Sequence, residues 1–404
     1  MRSVAEYRAA LLTGISALPP IELPLADAHL CVLAADVTAP WPLPSFDNSS
    51  MDGYAVLADD VANASTETPV SLTVIDDVPA GFRATETVTV GTAIRIMTGA
   101  PLPAGADCVV PVERTDAGTE TVTINEGVDR GAYIRRAGED VITGDIVLRA
   151  GVRLTAAQIA LLASVGQGSV LVHPRPRVAV ISTGSELVEP GTPLTPGLIS
   201  DSNSYMLTAL VQEADAIAYR IGAVVDDEAA FMAAIEDQLH RADLIITSGG
   251  VSMGAYDTVK AVLSALGSVS FEKIRMNPGM PQGHGVVGDP PIPIITLPGN
   301  PVSSFVSFEN FVRPVIRKLQ GFAEFDPRTH QAICVRDLSS PAHKTQFARG
   351  RYLAADRVEP VGRLQGSHVV GGLGQAECLI VVPGDVTLVE AGTMVDVIDL
   401  RRYP

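Results

Sequence analysis

Between residues 177 and 325, short apolar runs alternate with segments of helical periodicity. The run RVAVIST is followed by the helical stretch SNSYMLTALVQEA, and the run LIITS is followed by DTVKAVLSALG. Strands that alternate with helices of about 10 to 16 residues are typical of βαβ units, in which helices cover both faces of a parallel sheet. Ligands of such sheets bind at the carboxyl ends of the strands. The pattern therefore predicts an α/β domain with a mostly parallel sheet and a binding site along one edge.

One strand-end loop, SGGVSMGAYD, has the glycines of a phosphate-binding loop but ends in an acid. It lacks the lysine and the spacing of a P-loop. Glycine allows a positive φ and close approach of the backbone to a ligand, so backbone amides and hydroxyls could hold a phosphate without a base. The residues predicted to make this contact are Ser248, Gly249, Gly250 and Ser252. The alternative is a tight turn with no ligand.

A second strand-end loop, LPGNPVSSF, precedes a predicted helix. Asn300 is a good N-cap, and Pro301 suits the first helical position. The free amides at the start of such a helix can bind an anion. A capped helix with no ligand would explain the same residues.

Three acids, Glu186, Asp226 and Asp257, follow or close the ends of predicted strands. Taken singly, each could be a cap or a solvated side chain. If a doubly wound sheet brings them to one rim beside an anion, they would repel the anion and one another unless a hard cation lies between them. The three carboxylates together therefore predict a Mg²⁺ site beside a phosphate.

The chain has other patterns on either side of the α/β region. Residues 1–45 begin with an amphipathic helix and end in a proline-rich connection, and residues 146–176 contain a short helix that Thr155 can cap. Short alternating runs rich in Val and Thr predict a β domain at 46–145, and residues 326–404 predict a small barrel or sandwich. A chain of 404 residues is long enough for several hydrophobic cores.

Composition excludes several classes of protein. The formal net charge is −17 and the basic residues form no long tract, so we expect no nucleic-acid partner. The four cysteines lie far apart without a Cys-x-x-Cys pair, which argues against a disulfide framework or a zinc site. No run of 18 apolar residues occurs, so we expect no contact with a membrane and a cytoplasmic location.

Nine motifs in a fixed order give the chain a specific resemblance. From the N-terminus they are PLPSFDNSSMDGYAV, IRIMTGAPLPAGADCVVPVE, RRAGEDVITGD, VAVISTGSELVEPG, SDSNSYML, VVDDE, TSGGVSMGAYD, MNPGMPQGHG and LPGNPVSSFVSFENFVRPVIRKLQG. Together they resemble the MoeA family of molybdopterin molybdenumtransferases, which includes the gephyrin E domain. The resemblance covers nearly the whole chain.

The resemblance implies a multidomain α/β plus β architecture. Residues 1–45 and 146–176 would form an elongated helical segment, into which the β domain at 46–145 is inserted. A molybdopterin-binding α/β domain would follow at 177–325, and a C-terminal β-barrel at 326–404. Members of the family are homodimers whose active site lies between the α/β domain of one subunit and β-domain loops of the other. The NSSMDGYAV loop would then complete the site of the partner.

The resemblance also implies a reaction and its residues. Adenylylated molybdopterin and molybdate would be the substrates; Mg²⁺ would promote cleavage of the phosphoanhydride, AMP would leave, and molybdenum would enter the dithiolene. The implied catalytic residues are Asp52, Asp140, Glu186, Asp226, Asp257, Lys273, Arg349 and Ser367. The expected substrate-binding residues are Thr98, Ser248, Gly249, Gly250, Ser252, Pro298 and Pro301. Among them, Glu186, Asp226 and Asp257 would hold the metal. Lys273 and Arg349 would bind phosphate or oxyanion.

Three positions depart from the pattern of the family. Many relatives have basic residues where this chain has Asn277 and Met280, although Lys273 and Arg275 lie nearby. Lost charge would weaken anion binding or shift it to backbone contacts. His284 replaces a residue that is often small or aromatic, and we expect it to pack or to form a hydrogen bond rather than to act in catalysis.

Other functions fit parts of the same pattern. The adenylyltransferase of the preceding step shares the α/β domain, but its strand-end loop typically reads GGTG where this chain reads GGVSMG. A non-catalytic molybdopterin-binding carrier or scaffold, and a related enzyme that inserts tungsten, are two further alternatives. The partners that the resemblance implies are a second copy of the chain, molybdopterin adenylyltransferase and the maturation factors of molybdoenzymes.

Overall fold

The computed structural model describes residues 1–250, 256–362 and 365–401, and for residues 256–258, 260 and 264 it describes the backbone alone. The first elements are α1 (Val4–Leu12), β1 (Ile21–Pro24), β2 (Val32–Leu33) and β3 (Val37–Thr38). A capping box begins α1: the Ser3 hydroxyl accepts from the N–H of Glu6 at 3.2 Å, and the Glu6 carboxylate accepts from the N–H of Ser3 at 2.6 Å.

The β region that follows contains one sheet of five strands. Its elements are β4 (Asn48–Ser49), β5 (Gly53–Val56), α2 (Ala58–Val61), β6 (Val70–Val78), β7 (Thr92–Ile96), β8 (Cys108–Pro111), β9 (Thr121–Ile124) and β10 (Ile134–Arg135). The sheet has the order β8-β5-β7-β6-β9, and β4 pairs separately with β10. Because β4 ends at Ser49, the first residue of the SSMDG turn, this pairing fixes the start of that turn against residues 134 and 135.

The chain then returns to the strands of the N-terminal segment. The returning elements are β11 (Ile146–Leu148), α3 (Ala156–Ser164) and β12 (Ser169–His173). Strand β11 pairs with β3, and β12 lies between β1 and β2. Thr155 caps α3 as the sequence predicts, and Gly166 follows its end at φ +79°. The segment predicted to be helical therefore contains five short strands beside its two helices.

The central region is built around a sheet of six strands. Its elements are β13 (Arg177–Thr183), β14 (Leu187–Val188), β15 (Ile199–Ser200), α4 (Asn203–Glu213), β16 (Ile217–Val224), α5 (Glu228–Glu236), β17 (Leu244–Ser248), α6 (Tyr256–Leu266), β18 (Gly267–Lys273), β19 (Met276–Asn277), β20 (Pro281–Val287), β21 (Ile292–Leu297), α7 (Pro301–Ser307) and α8 (Arg313–Leu319). The five-residue π-helical turn Phe308–Val312 joins α7 to α8. Strand order is β16-β13-β17-β21-β20-β18.

The directions of these strands determine which loops meet. Strands β16, β13, β17 and β21 are parallel, whereas β20 is antiparallel to both β21 and β18. Two reversals give β18 the same direction as β21, so the carboxyl end of β18 lies at the same edge of the sheet. The sequence did not predict β20, and its antiparallel pairings make the sheet less uniformly parallel than expected.

Helices cover both faces of this sheet. One core contains apolar residues of α4, α7 and α8, and α1 packs into it through Val4, Tyr7 and Leu11. The other core contains residues of α5 and α6, with Phe231 and Leu263 at its centre. The N-terminal helix thus belongs to the core of the central region, although about 160 residues separate it in sequence from β13.

The C-terminal region is a closed barrel of five strands. Its elements are β22 (Thr329–Cys334), β23 (Leu338–Ser339), β24 (Thr345–Ala354), β25 (Arg357–Pro360), β26 (Cys378–Val382), β27 (Leu388–Val389) and β28 (Thr393–Asp399). The ring runs β24-β25-β22-β28-β26 and closes by pairing of β26 with β24, while β19 is added to β24 from outside. Of the alternatives from sequence, barrel rather than sandwich is correct. In the part of the chain that the structure describes, no helix is both long and apolar enough to cross a membrane.

Candidate active site

Strands β13, β17 and β21 end side by side, and a buried side chain joins their loops. Asn203, the first residue of α4, donates from Nδ2 to Ser248 Oγ and to the carbonyl oxygen of Gly299, both at 2.7 Å. Thr183 Oγ1 donates to the carbonyl oxygen of Ser248 at 3.4 Å. Ser248 is 1% exposed, and Asn203 is 8% exposed. These contacts hold the ends of all three strands in one polar network.

Glycines allow the two middle loops to approach each other. Gly249 has φ +99°, and a Cβ there would lie 2.4 Å from the carbonyl oxygen of Thr183. Gly250 has φ +67°, and a Cβ there would lie 2.1 Å from Val259 Cγ2. A Cβ on Gly299 would lie 3.6 Å from the Cα of Gly249. The predicted contact residues Gly249 and Gly250 are therefore held in a conformation that favours glycine, while Ser252 lies outside the described residues.

The third loop begins a helix, as the sequence predicts. Asn300 is the N-cap of α7 and Pro301 its first residue, but the Asn300 side chain does not cap the helix. It donates instead to Ser367 Oγ at 3.0 Å, and the N–H of Val302 donates to the carbonyl oxygen of Ser367 at 3.2 Å. Pro298 accepts from the hydroxyl of Ser304. Ser367, from the C-terminal region, thus lies directly at the start of α7.

Two of the three predicted metal ligands lie on adjacent strand ends. Strand β16 ends beside β13, and Ser185 joins their loops: its N–H donates to Asp226 Oδ2 at 3.4 Å, and its hydroxyl accepts from the N–H of Asp226 at 3.1 Å. The Glu186 carboxylate folds back over Gly184, so a Cβ at that glycine would lie 2.8 Å from each of its oxygens. Both acids are exposed.

The third predicted ligand, Asp257, is in the first turn of α6, and its side chain is not among those described. Among the described residues no group of three His, Cys, Asp or Glu side chains is close enough to hold a metal. The donor chemistry of Glu186 and Asp226 nevertheless fits Mg²⁺, because exposed carboxylate oxygens are the hard ligands that this cation prefers. A Mg²⁺ site with three protein ligands would also need Asp257, the acid of the neighbouring loop.

Arg349 and Lys273 occupy contrasting environments. Arg349, on β24, is 1% exposed; its backbone N–H donates to Gln365 Oε1 at 3.0 Å and its guanidinium donates to the carbonyl oxygen of Val369. Burial lowers the pKa of this guanidinium. Arg349 therefore holds the segment that carries Ser367, whereas Lys273 is exposed at the carboxyl end of β18.

Asp52 and Thr98, predicted from separate motifs, meet in the β region. The backbone N–H and the hydroxyl of Thr98 donate to Asp52 Oδ1 at 2.7 and 2.8 Å. Together these two hydrogen bonds hold the pKa of Asp52 below its usual value, and the bond from the backbone N–H of Thr98 makes the larger contribution. Asp140 is exposed, and its N–H donates to the carbonyl oxygen of Leu43 at 3.0 Å. These hydrogen bonds of Asp52 and Asp140 stay within residues 43–140 and do not reach the central rim.

Sequence reasoning missed the residues that assemble the rim. Asn203 lies in the motif SDSNSYML, which contributed to the resemblance but received no role. Thr183 and Ser304 are likewise buried and polar at the ends of the network. A polar residue at the start of a helix usually signals a cap. The burial of Asn203 against two loops could not be read from that signal.

Comparison with known proteins identifies the family. The MoeA N-terminal region (domain I and II) matches residues 2–166, a probable molybdopterin binding domain matches residues 179–318, and the MoeA C-terminal region (domain IV) matches residues 331–400. Molybdopterin molybdenumtransferase 2 of Mycobacterium tuberculosis is 47% identical over 412 residues, which cover 99% of this chain and 100% of the relative. This chain belongs to the MoeA family.

Further relatives extend the match across species and to solved structures. The molybdopterin molybdenumtransferase of Bacillus subtilis is 36% identical, over 94% of this chain and 89% of the relative. The molybdopterin biosynthesis MoeA protein of Pyrococcus horikoshii matches with a TM-score of 0.81 and 30% identity, over 99% of each chain. The resemblance drawn from the motifs is thus confirmed. As a MoeA-family member, the chain is an enzyme of molybdenum cofactor biosynthesis, a molybdopterin molybdenumtransferase.

Proposed function

We propose that this MoeA-family chain transfers molybdenum from molybdate into adenylylated molybdopterin and releases AMP. The observation that carries the proposal is the buried Asn203 network, which draws together a glycine loop and the start of α7. Backbone amides from both loops would bind the phosphates of the substrate, since helix N-termini and glycine loops favour anions. This arrangement supports contact roles for Gly249 and Gly250, and we assign further contacts to Ser248 and Ser252. Pro298 and Pro301 would shape the second loop.

Mg²⁺ would be held by Glu186, Asp226 and Asp257. When bound, it would supply charge neutralisation for the phosphoanhydride and for the departing AMP. The contribution of the chain is to keep two carboxylates close to the rim, which the reciprocal hydrogen bonds between Ser185 and Asp226 support. Carboxylates beside an anion site would otherwise repel the substrate.

The oxyanion would be bound by Lys273 and by residues at the start of α7. Ser367 offers a hydroxyl there, 3.0 Å from Asn300 Nδ2. We assign Arg349 a positioning role, because its hydrogen bonds to Gln365 and Val369 support the Ser367 segment. A buried guanidinium that already donates to backbone oxygen is a firm support for a loop.

The active enzyme would be a homodimer whose sites are shared. Asp52 and Thr98 are tied together on an exposed turn, and Asp140 is also exposed. Exposed polar residues of this kind, far in sequence from the rim, are suited to complete the site of a second subunit. The four-part division at 1–45 with 146–176, 46–145, 177–325 and 326–404 belongs to the same proposal, as does a cytoplasmic location. Molybdopterin adenylyltransferase would supply the substrate, and molybdoenzyme maturation factors would receive the product.

The test is AMP release from adenylylated molybdopterin by the purified chain with molybdate and Mg²⁺. We expect release to require all three components, and replacement of molybdate by tungstate measures metal preference directly. Asp226→Asn should reduce the rate by about 10²-fold if the carboxylate holds the cation. Asp243→Asn is the control, because it removes the charge of an acid that pairs with Arg177 at the opposite end of the sheet. Tight substrate binding without AMP release would contradict the proposal and favour a carrier.

A further inference from the structure

We propose that a groove beside α1 is a binding site for a tetrahedral oxyanion, with Arg275 and Arg2 supplying positive charge next to Lys273. The inference rests on the proposed function in one respect, because Lys273 is the residue assigned there to the oxyanion. It adds a specific source of charge from two residues that the motifs did not single out as functional. It also gives the N-terminal segment a part in the site.

The groove has a volume of about 890 Å³ and lies at the end of β18. The residues that line it are Met1, Arg2, Glu6, Glu272, Lys273 and Arg275. Three of them are cations and two are acids, so the groove has a local excess of positive charge in a chain whose net charge is −17. Such a local field raises the concentration of anions at the surface.

Backbone contacts fix the positions of these side chains. The N–H of Arg275 donates to the carbonyl oxygen of Arg2 at 2.9 Å, and Arg2 forms a parallel bridge with Ile274. The N–H of Met276 donates to the carbonyl oxygen of Ile274 at 2.9 Å, which places Arg275 at the apex of a tight turn. Ile274 and Met276 are buried, whereas Arg275 is exposed. The apex therefore presents its guanidinium to the groove while its neighbours anchor the backbone.

The two acids neutralise the cations incompletely. Arg2 contacts Glu272 at 3.1 Å, but Arg275 contacts Glu6 at 3.7 Å with both side chains about half exposed. The Glu6 carboxylate already accepts a 2.6 Å hydrogen bond from the N–H of Ser3. Within the described residues Lys273 has no ion pair. An exposed pair of this length contributes little, so Arg275 can exchange Glu6 for an anion at small cost.

The position of Arg275 also explains how the site tolerates a neutral Asn277. Asn277 follows Arg275 by two residues, just beyond the tight turn, and it is only partly buried. Two residues span at most about 7 Å of backbone, so a lysine side chain at position 277 is long enough to bring a cation to the groove. The ligand class is a tetrahedral oxyanion, either free molybdate with two negative charges or one singly charged phosphoryl group of the adenylylated substrate.

Titration calorimetry of the full chain with sodium molybdate, and in parallel with inorganic phosphate, tests the inference. We expect Arg275→Ala to weaken molybdate binding about tenfold, Arg275→Lys to retain most of the affinity, and the double variant Arg275→Ala, Asn277→Lys to regain it. Arg149→Ala is the matched control, since Arg149 is an exposed arginine in a 3.6 Å pair with Asp36. Arg2→Ala should show a smaller loss than Arg275→Ala, and thermal unfolding of each variant checks the fold.

Two results identify the source of the oxyanion: dependence on Arg275 with molybdate alone indicates free molybdate, and the same dependence with phosphate indicates the phosphoryl group. Unchanged molybdate and phosphate affinity in Arg275→Ala would overturn the inference. A loss that Asn277→Lys fails to recover would also overturn it, because the role of Arg275 would then be structural. Measurement of AMP release distinguishes failure of the groove proposal from failure of the transferase proposal. If AMP release is normal and oxyanion binding does not depend on Arg275, only the groove proposal is wrong. If binding depends on Arg275 but no AMP is released, only the transferase proposal is wrong.

Discussion

Asn203 donates to Ser248 Oγ and to the carbonyl oxygen of Gly299 from one side-chain nitrogen, each at 2.7 Å. Replacement by alanine would leave the buried Ser248 hydroxyl and the partly buried carbonyl oxygen of Gly299 without this donor, which costs about 1–3 kcal/mol. Asn203→Asp should cost at least as much, because a carboxylate oxygen would then face the carbonyl of Gly299. Urea unfolding measures the stability, and the KM for adenylylated molybdopterin should rise in both variants. Gln212→Ala, at an exposed position of the same helix, is the control; an equal loss there would contradict the prediction.

Replacing Gly249 tests whether AMP release requires the positive-φ backbone of the glycine loop after β17. Gly249→Ala would bring a methyl group to 2.4 Å from the carbonyl oxygen of Thr183 at a φ of +99°. We expect the backbone to shift and AMP release to fall at least about tenfold, equivalent to about 1.4 kcal/mol in the transition state. Gly168→Ala is matched in chemistry and has open space around it without a positive φ. If Gly249→Ala keeps the rate of the unchanged chain, the loop does not contact the substrate.

Thr98→Val separates the two hydrogen bonds to Asp52. The backbone N–H still donates, but the hydroxyl bond of 2.8 Å is lost, so the pKa of Asp52 should rise toward its ordinary value of about 3.9. A lowered pKa contributes stability that is present above the unfolded-state value and is lost as pH falls through the folded-state value. Carboxylate NMR titration measures the change. Thr121→Val, at an exposed position of β9, should leave this pKa where it was.

Burial of His284 gives the stability of the chain a second pH dependence, caused by desolvation rather than by hydrogen bonding. Its ring packs edge-on against Tyr7 at 5.1 Å, and burial lowers the pKa of His284. The unfolded chain therefore binds this proton more readily, so stability should fall as pH drops below about 6.5 and continue to fall to the lower folded-state pKa. His284→Phe should flatten this part of the curve of unfolding free energy against pH. His29→Phe, at an exposed position, is the control; a slope that is the same in both variants would exclude His284 as its source.

The sequence predicted elements whose signals are local. Thr155, Asn300 and Pro301 lie at helix starts, where their chemistry predicts them, although the Asn300 side chain forms no hydrogen bond to its own helix. Such signals depend only on the few residues around them. The acids at 186 and 226 also lie on adjacent strand ends, as expected from a parallel sheet. Their role as ligands stays a prediction, as does that of Asp257.

The sequence could not show what depends on distant neighbours. In β20 the run PQGHGVV looks like a loop because of Gly283 and Gly285. These glycines are required by crowding: a Cβ on Gly283 would lie 2.1 Å from Thr296 Oγ1, and one on Gly285 would lie 1.9 Å from the carbonyl oxygen of Ser268. For the same reason the sequence could not predict the role of Asn203, which depends on contacts with two loops that are far away in the chain.

Strand β19 follows β18 after two residues and yet pairs with the barrel strand β24. The short stretch from Lys273 to Asn277 thus passes from one sheet into another without a linker. Hydrogen bonds anchor its middle on both sides, from Arg275 to Arg2 and from Thr345 to Arg275. A displacement of the barrel would accordingly be transmitted through this short stretch of backbone to the end of β18. The C-terminal region would thereby set the spacing of charges at the rim mechanically, even where its own side chains make no contact with the substrate.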